Sequence, residues 1–287
     1  MHFTGRLLWN RIDDAVRWAV HELRLLCPEP EFGTRSIARQ VVRASIQISR
    51  STVQRVLREA KPPRPGRPAR PAMALPLGKK PYHLLRPEWI NRVWHIDLLS
   101  LQVLWLRFSV AVILDGFSRR LLCLRVYRGT PRAREMAALV RRMVKEFGKP
   151  RFIISDHGTQ FRRHFRCAMK KTGIIAVQAR VRAPYLNGKL ERAFRTLRVW
   201  WRLVLAGLTQ RGIQRRLDQF GAWFNEHRPH IALHGRTPQE AWEGRVLPEP
   251  VPIRARDQLQ PQIEIRRRHY RGDPRLPVLE ISVKLAA

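Results

Sequence analysis

Apolar residues recur at three- and four-residue steps over residues 11–27, at Ile12, Val16, Ala19, Leu23 and Leu26. That period predicts an amphipathic helix, ended by Pro28 and Pro30. Residues Gly33 to Val42 predict a second, short helix, and Ser49 is a good N-cap for a third over Arg50–Glu59. In the third helix Val53, Val56 and Leu57 face inward, while Arg50, Ser51, Gln54, Arg55 and Arg58 face out. The pattern then stops. Lys61–Pro71 carries a proline at nearly every second position, which removes donors and fixes φ, so residues 61–91 read as an extended linker.

Beyond the linker the helical period gives way to continuous apolar runs. Apolar runs predict strands over Arg92–Leu101, Arg107–Leu114 and Arg120–Tyr127, with Asp115-Gly116-Phe117-Ser118 as the tight turn between the last two. A helical stripe follows Pro131 (Met136, Ala137, Val140, Met143, Val144, Phe147) and stops at Gly148-Lys149-Pro150. Phe152–Ser155 predicts a fourth strand, Thr159–Lys171 a helix, and Ile174–Gln178 a fifth strand. A long helix opens at Glu191, just after Asn187, Gly188 and Lys189. Ile213, Leu217, Phe220, Trp223 and Phe224 predict a closing helix, and Thr237-Pro238 starts one more, with Thr as N-cap and Pro at the first position. Four segments result: a helical module (1–60), the linker (61–91), an α/β core (92–247) and a basic, β-type tail (248–287).

Charge gives the helical module a candidate role. The 287 residues hold 56 Lys+Arg against 22 Asp+Glu, a formal net charge of +34. Such an excess attracts polyanions, with nucleic acid as the default partner. Two short helices with an Arg-rich second one then fit a helix-turn-helix, with Arg50, Gln54 and Arg55 as candidate DNA contacts. The bland alternative is a helical hairpin that only packs. The longest apolar runs fall well short of the roughly 20 residues that span a bilayer, and Asp13, Asp14 and Glu22 interrupt any signal-peptide pattern. Cys27, Cys123 and Cys167 are far apart and form neither a zinc pattern nor a disulfide framework. A cytoplasmic, nucleoid-associated protein is the expectation.

Three carboxylates stand where chemistry is placed in open α/β sheets. Asp97 lies on the first strand, Asp156 ends the fourth, and Glu191 opens the long helix; 58 residues separate the first pair and 34 the second. The element order, and the text Trp94-His95-Ile96-Asp97, Leu114–Arg119, Ser155–Phe161, Pro184–Arg192 and Asn225–His230 with Thr237-Pro238, resemble the catalytic domain of retroviral integrases. More closely, they are similar to the integrase-type DDE transposases of bacterial insertion sequences. The resemblance covers residues 90–245. The second gap is one residue shorter than the family's commonest spacing, and His157 stands where many relatives carry Asn; neither change removes a carboxylate.

The resemblance implies an RNase H-like fold: a mixed five-stranded sheet with helices, preceded here by the all-α module. It implies an enzyme that cleaves and joins DNA strands at a two-metal site, with Asp97, Asp156 and Glu191 as catalytic and metal-binding residues. Hard cations such as Mg²⁺ want carboxylate oxygens, and two ions about 3.5–4 Å apart clamp the attacking and leaving oxygens of an in-line displacement. In this scheme Asp97 bridges two Mg²⁺ ions, with Mn²⁺ as a substitute, while Asp156 holds one and Glu191 the other. Glu191, Arg195, Arg198 and Arg202 recur at steps of four, three and four, so the carboxylate heads a basic ridge. Lys189 is a candidate phosphate contact beside it. The substrate is double-stranded DNA, both element ends and target, and holding two ends implies a homo-oligomer on DNA; an accessory protein stays an open question. Asp115 reads as a turn-former and His227, His230 and His234 as structural. Two rivals stay open: an RNase H-like nuclease, and a catalytically silent copy that only binds DNA.

Overall fold

The computed structural model describes residues 12–26, 33–59, 85–103, 106–179, 184–201, 209–248 and 261–285. The chain divides into two compact units: residues 1–86 with 247–268 and 279–287, and residues 87–246 with 269–278.

In the first unit the expected helices form: α1 (Asp14–Leu26), α2 (Thr34–Arg43) and α3 (Arg50–Glu59). Their apolar stripes meet in one core of Val16, Val20, Leu23, Ile37, Val41, Ile46, Val53 and Val56. The α2–α3 turn lacks glycine, and Ser45 takes the left-handed conformation there, with φ 62°. Ser49 Oγ then accepts the Thr52 N–H at 3.1 Å, capping α3 as its position suggests. Arg17 and Glu59 pair at 2.6 Å between α1 and α3; both are part-exposed, so the pair is worth at most about 1 kcal/mol.

The carboxy-terminal stretch is a hairpin of β6 (Pro261–His269) and β7 (Pro277–Leu285). Its alternate residues Ile263, Ile265, Leu279, Ile281 and Val283 pack against the three-helix core. Three helices of at most 13 residues bury little by themselves; the hairpin adds a second layer. Ile281→Asp is therefore expected to lower the stability of this unit by about 2 kcal/mol or more. Limited proteolysis of the full chain, reading cuts within 12–59, checks it.

In the second unit β1 (Val93–Val103), β2 (Leu106–Asp115) and β3 (Leu121–Arg128) form an antiparallel meander, and β4 (Phe152–Ser155) and β5 (Ile175–Gln178) run parallel to β1. The sheet order is β3-β2-β1-β4-β5, the mixed sheet of an RNase H-like fold. Strand β2 shows why it lies at the centre: Val110, Val112 and Leu114 enter one core, while Ala111 and Ile113 enter the other. Helices α4 (Ala133–Phe147) and α5 (Arg163–Lys171) cover the second face; α6 (Pro184–Trp201) and α7 (Gln210–Glu226) cover the first, with α8 (Pro238–Trp242) at the end of the unit. The exposed edge of β3 is capped by amides from α7. Asn225 exchanges two hydrogen bonds with Leu121, Gln214 takes the Val126 N–H and donates to Leu124 O, and Gln210 donates to Val126 O. Residues 269–278 belong to this unit: Leu276 is buried in the first core and Trp223 Nε1 donates to Pro277 O at 2.9 Å.

Two expectations needed correction. Thr159–Lys171 is not one helix: a 3₁₀ turn over Thr159–Phe161 ends at an extended Arg162 (ψ −152°) before α5 begins. Phe161 is drawn fully into the core, edge-on to Phe165 at 5.3 Å, and the chain bends to let it in. And α6 begins at Pro184, so Asn187, Gly188 and Lys189 lie inside the helix rather than before it. Proline suits the first helical position. The roughly 1 kcal/mol that Gly188 costs is outweighed by burying Leu190, Ala193, Phe194 and Leu197. Among the described residues no helix is long and apolar enough to cross a membrane.

Candidate active site

Asp97 and Asp156 are brought together by sheet register. Val93, Trp94 and His95 of β1 pair with Phe152, Ile153 and Ile154 of β4. The same offset continued two residues sets Asp97 beside Asp156, where β4 ends. Each carboxylate is steadied by a nearby N–H at Oδ1: Asp97 accepts from Leu98 at 2.7 Å and Asp156 from Gly158 at 3.0 Å. Among the described residues Oδ2 of each takes no hydrogen bond.

Glu191 reaches the same neighbourhood from α6. The buried stripe Leu190, Ala193, Phe194 and Leu197 fixes the rotation of the helix on the sheet, leaving Glu191, Arg195 and Arg198 exposed on another face. The electrostatics register the convergence. The Asp97 carboxyl is raised from 3.8 to about 6, first by burial, against the pull of the Leu98 N–H, and then by the charges of Asp156 and Glu191. As placed, however, no three His, Cys, Asp or Glu among the described residues stand close enough to hold one ion together. The three carboxylates share a field; they do not form a closed ligand cage. The donor set still suits a hard divalent cation: all-oxygen, from three separate chain segments, with Asp97 pushed toward protonation by burial first and then by its two acidic neighbours.

The remaining candidates fall in different places. Lys189 is half-buried, and its amine is lowered to about 7, by burial first and then by Arg119, with Asp115 opposing. Neither Asp97 nor Asp156 is among its influences; Lys189 faces the Asp115–Arg119 turn. Arg202 lies outside the described residues. On α3, Arg50 and Arg55 are exposed and Gln54 half-buried.

Asp115 is fully buried and serves the turn. Its Oδ1 accepts Asn91 N–H, and its Oδ2 accepts Phe117 N–H, Ser118 N–H and Ser118 Oγ–H, at 2.8–3.1 Å. Gly116 fits here for space: a Cβ would come within 2.9 Å of Val93 O. The left-handed residue is Arg119, with φ 64°. His230 is deeply placed, edge-on to Phe224 at 4.8 Å, and burial followed by Arg228 and Arg119 keeps it neutral.

Arg119 is the residue that the pattern of the chain did not single out. Burial, and then Arg192, lower its guanidinium to about 10. Its Nε and Nη1 are buried without a hydrogen-bond partner. An arginine closing a fully buried Asp turn was the one local sign of it.

Residues 89–184 match the family model of an integrase core domain, and residues 172–238 match a second integrase core domain model. Among solved structures, the magnesium-bound catalytic core domain of the HTLV-2 integrase in its dimeric form is 16% identical, with TM-score 0.45, covering 55% of this chain and 99% of that one. The simian T-cell lymphotropic virus intasome, solved with the PP2A regulatory subunit B56 gamma, is 15% identical, with TM-score 0.48, covering 86% and 81%. The BIV integrase catalytic core domain is 19% identical, with TM-score 0.41, covering 54% and 95%. No curated protein matches the chain.

Proposed function

Residues 89–238 belong to the integrase core domain family, and from that premise we propose that this protein is a DNA strand transferase of the transposase type, cutting and joining DNA at Asp97, Asp156 and Glu191. The observation that carries the proposal is the position of Asp97 on β1 and of Asp156 just past the end of the adjacent parallel β4, with Asp156 and Glu191 both close enough to raise the Asp97 carboxyl.

In this reading Asp97, Asp156 and Glu191 would together hold two Mg²⁺ ions, with Mn²⁺ as a substitute. When bound, the ions supply Lewis-acid polarisation and in-line alignment of the attacking and leaving oxygens. The side chains do the rest. Asp97, titrating near 6, is mostly ionised at neutral pH, so cation affinity rises between pH 5 and 7. The Leu98 and Gly158 N–H groups hold one oxygen of Asp97 and of Asp156 and leave the other for a cation. Arg195 and Arg198, on the face of Glu191, track the DNA backbone.

The net charge of +34 suits double-stranded DNA as partner. The three-helix unit is a helix-turn-helix reader of element ends, with α3 presenting Arg50, Gln54 and Arg55. Two ends and a target in one reaction imply a homo-oligomer assembled on DNA, in the nucleoid of a cytoplasm. The test is joining in vitro: labelled duplex with supercoiled plasmid, in Mg²⁺, in Mn²⁺ and in chelator. Metal-dependent joining is the expected result. Cutting without joining makes the protein a nuclease, and binding without chemistry on several end sequences makes it a silent DNA-binding protein.

A further inference from the structure

We propose that Arg119, Lys189 and Arg192 form a phosphate-binding site that seats a backbone phosphodiester of the bound DNA, with His230 as a further donor. The proposal rests on the DNA-binding part of the reading above but not on the chemistry assigned to the three carboxylates.

Three observations lead to it. First, Arg119 is built into place yet left unsatisfied. It follows a turn that its own Asp115 holds with four hydrogen bonds, and its backbone is left-handed. Its Nε and Nη1 are nonetheless buried with no partner. Buried guanidinium donors are nearly always paired, because leaving them dry costs the full desolvation of the group.

Second, like charges gather around it. Lys189 and Arg192 lie one turn apart on α6, flanking the buried stripe on the side away from Glu191, and both are within electrostatic reach of Arg119. The one acid in reach of both Arg119 and Lys189 is Asp115, whose oxygens are committed to backbone and Ser118. Three cations against one saturated carboxylate leave the place short of an anion.

Third, His230 is close enough to feel the charge of Arg119, and its Nε2 is buried with no hydrogen-bond partner. A planar guanidinium, an ammonium and an imidazole N–H are the donor set that phosphate oxygens take, the guanidinium in bidentate fashion. A diester fits the charge with one negative unit. Inorganic phosphate shares the chemistry, so the experiment separates the two.

The full-length protein carrying Arg119→Gln is compared with wild type and with Arg141→Gln, a charge removed from an exposed position on α4. Arg192→Gln, on an exposed position, gives a second variant that does not disturb buried packing. Duplex DNA binding is followed by fluorescence anisotropy across a salt series, and thermal stability is followed with sodium phosphate or sodium chloride at matched ionic strength. For Arg119→Gln and Arg192→Gln the expected result is about tenfold weaker DNA binding and a salt slope smaller by about one. Ligand-free Arg119→Gln melts no lower than wild type, because a crowded charge has gone. Arg141→Gln matches wild type in both assays.

Two outcomes overturn the proposal. One is an unchanged salt slope in both site variants, including the case where phosphate raises the wild-type Tm, which makes the site one for a free anion. The other is a marked fall in the Tm of ligand-free Arg119→Gln with DNA binding by Arg192→Gln unchanged, which makes Arg119 a structural residue. No readout involves metal or joining, so a failure of the strand-transfer reading leaves this test intact.

Discussion

Asp97→Asn is expected to abolish strand joining and, at the same time, to make the protein more stable. The two effects share one cause. In the fold the Asp97 carboxyl titrates near 6 instead of 3.8, raised first by burial and then by Asp156 and Glu191. A carboxyl whose folded pKa lies above its unfolded value favours folding while it is protonated. That contribution is complete below about pH 4 and is lost as pH rises through 6. At pH 7.5 the ionised group therefore works against the fold, by about 2–3 kcal/mol. Asparagine carries no such charge, so in chelator at pH 7.5 the variant should melt about 5 °C higher than wild type, and the gap should close by pH 4. Mg²⁺ should raise the Tm of wild type and leave that of Asp97→Asn unmoved. Joining should fall by about 10³-fold or more, equivalent to about 4 kcal/mol of transition-state stabilisation. A variant that is no more stable than wild type, or that still responds to Mg²⁺, would show that Asp97 does not hold the cation.

The same change of charge at Asp115 should act with the opposite sign. Asp115 is fully buried and accepts four hydrogen bonds across its two oxygens, from Asn91, Phe117, and the N–H and hydroxyl of Ser118. Asparagine offers one acceptor oxygen. If that oxygen serves Phe117 and Ser118, the amide NH₂ confronts the Asn91 N–H. One buried donor loses its acceptor and two donors face each other, at a cost of about 3 kcal/mol or more. Arg119 and Lys189 also lose the one negative charge that offsets both. Asp115→Asn should melt about 6 °C or more below wild type at every pH where wild type is folded, and its remaining folded fraction should keep the Mg²⁺ response. Thermal melts of the two Asn variants, each with Mg²⁺ and with chelator, thus separate an acid that holds a turn from an acid that holds a cation. Equal stability of Asp115→Asn and wild type would remove the structural account of this residue.

The contrast also shows what local pattern could and could not reveal. Strand β2 is readable because its apolar residues are continuous, and the strands that carry Asp97 and lead into Asp156 because each carboxylate ends or interrupts an apolar run; the parallel pairing of those two strands is visible only in the fold. Asp115 could be assigned to a turn because Asp-Gly-Phe-Ser is local chemistry that needs no partner beyond its own loop. Glu191 could be placed on a helix, but the start of that helix was missed: Gly188 looked like a boundary, and only burial of Leu190, Ala193 and Phe194 against a distant sheet decides otherwise. The bend at Arg162 depends in the same way on the pocket that takes Phe161.

Two features had no local signal. Alternation in Ile263, Ile265, Leu279, Ile281 and Val283 predicts strands with one apolar face but not what covers it. The partner is a helical core more than 200 residues earlier in the chain, beyond the reach of any periodicity. Arg119 looked like one arginine among many in a chain with 56 basic residues. What sets it apart is burial without a partner, which exists only once the turn, α6 and His230 are folded around it.

The central claim is that Asp97, Asp156 and Glu191 act as one metal-binding catalytic unit. Strand joining in Mg²⁺ by wild type beside Asp156→Asn, at DNA concentrations where both are shown to be bound, tests it most directly. The account predicts joined product from wild type, none in chelator, and a loss of about 10³-fold or more in the variant with DNA binding unchanged. Joined product from Asp156→Asn at a rate near that of wild type would contradict it.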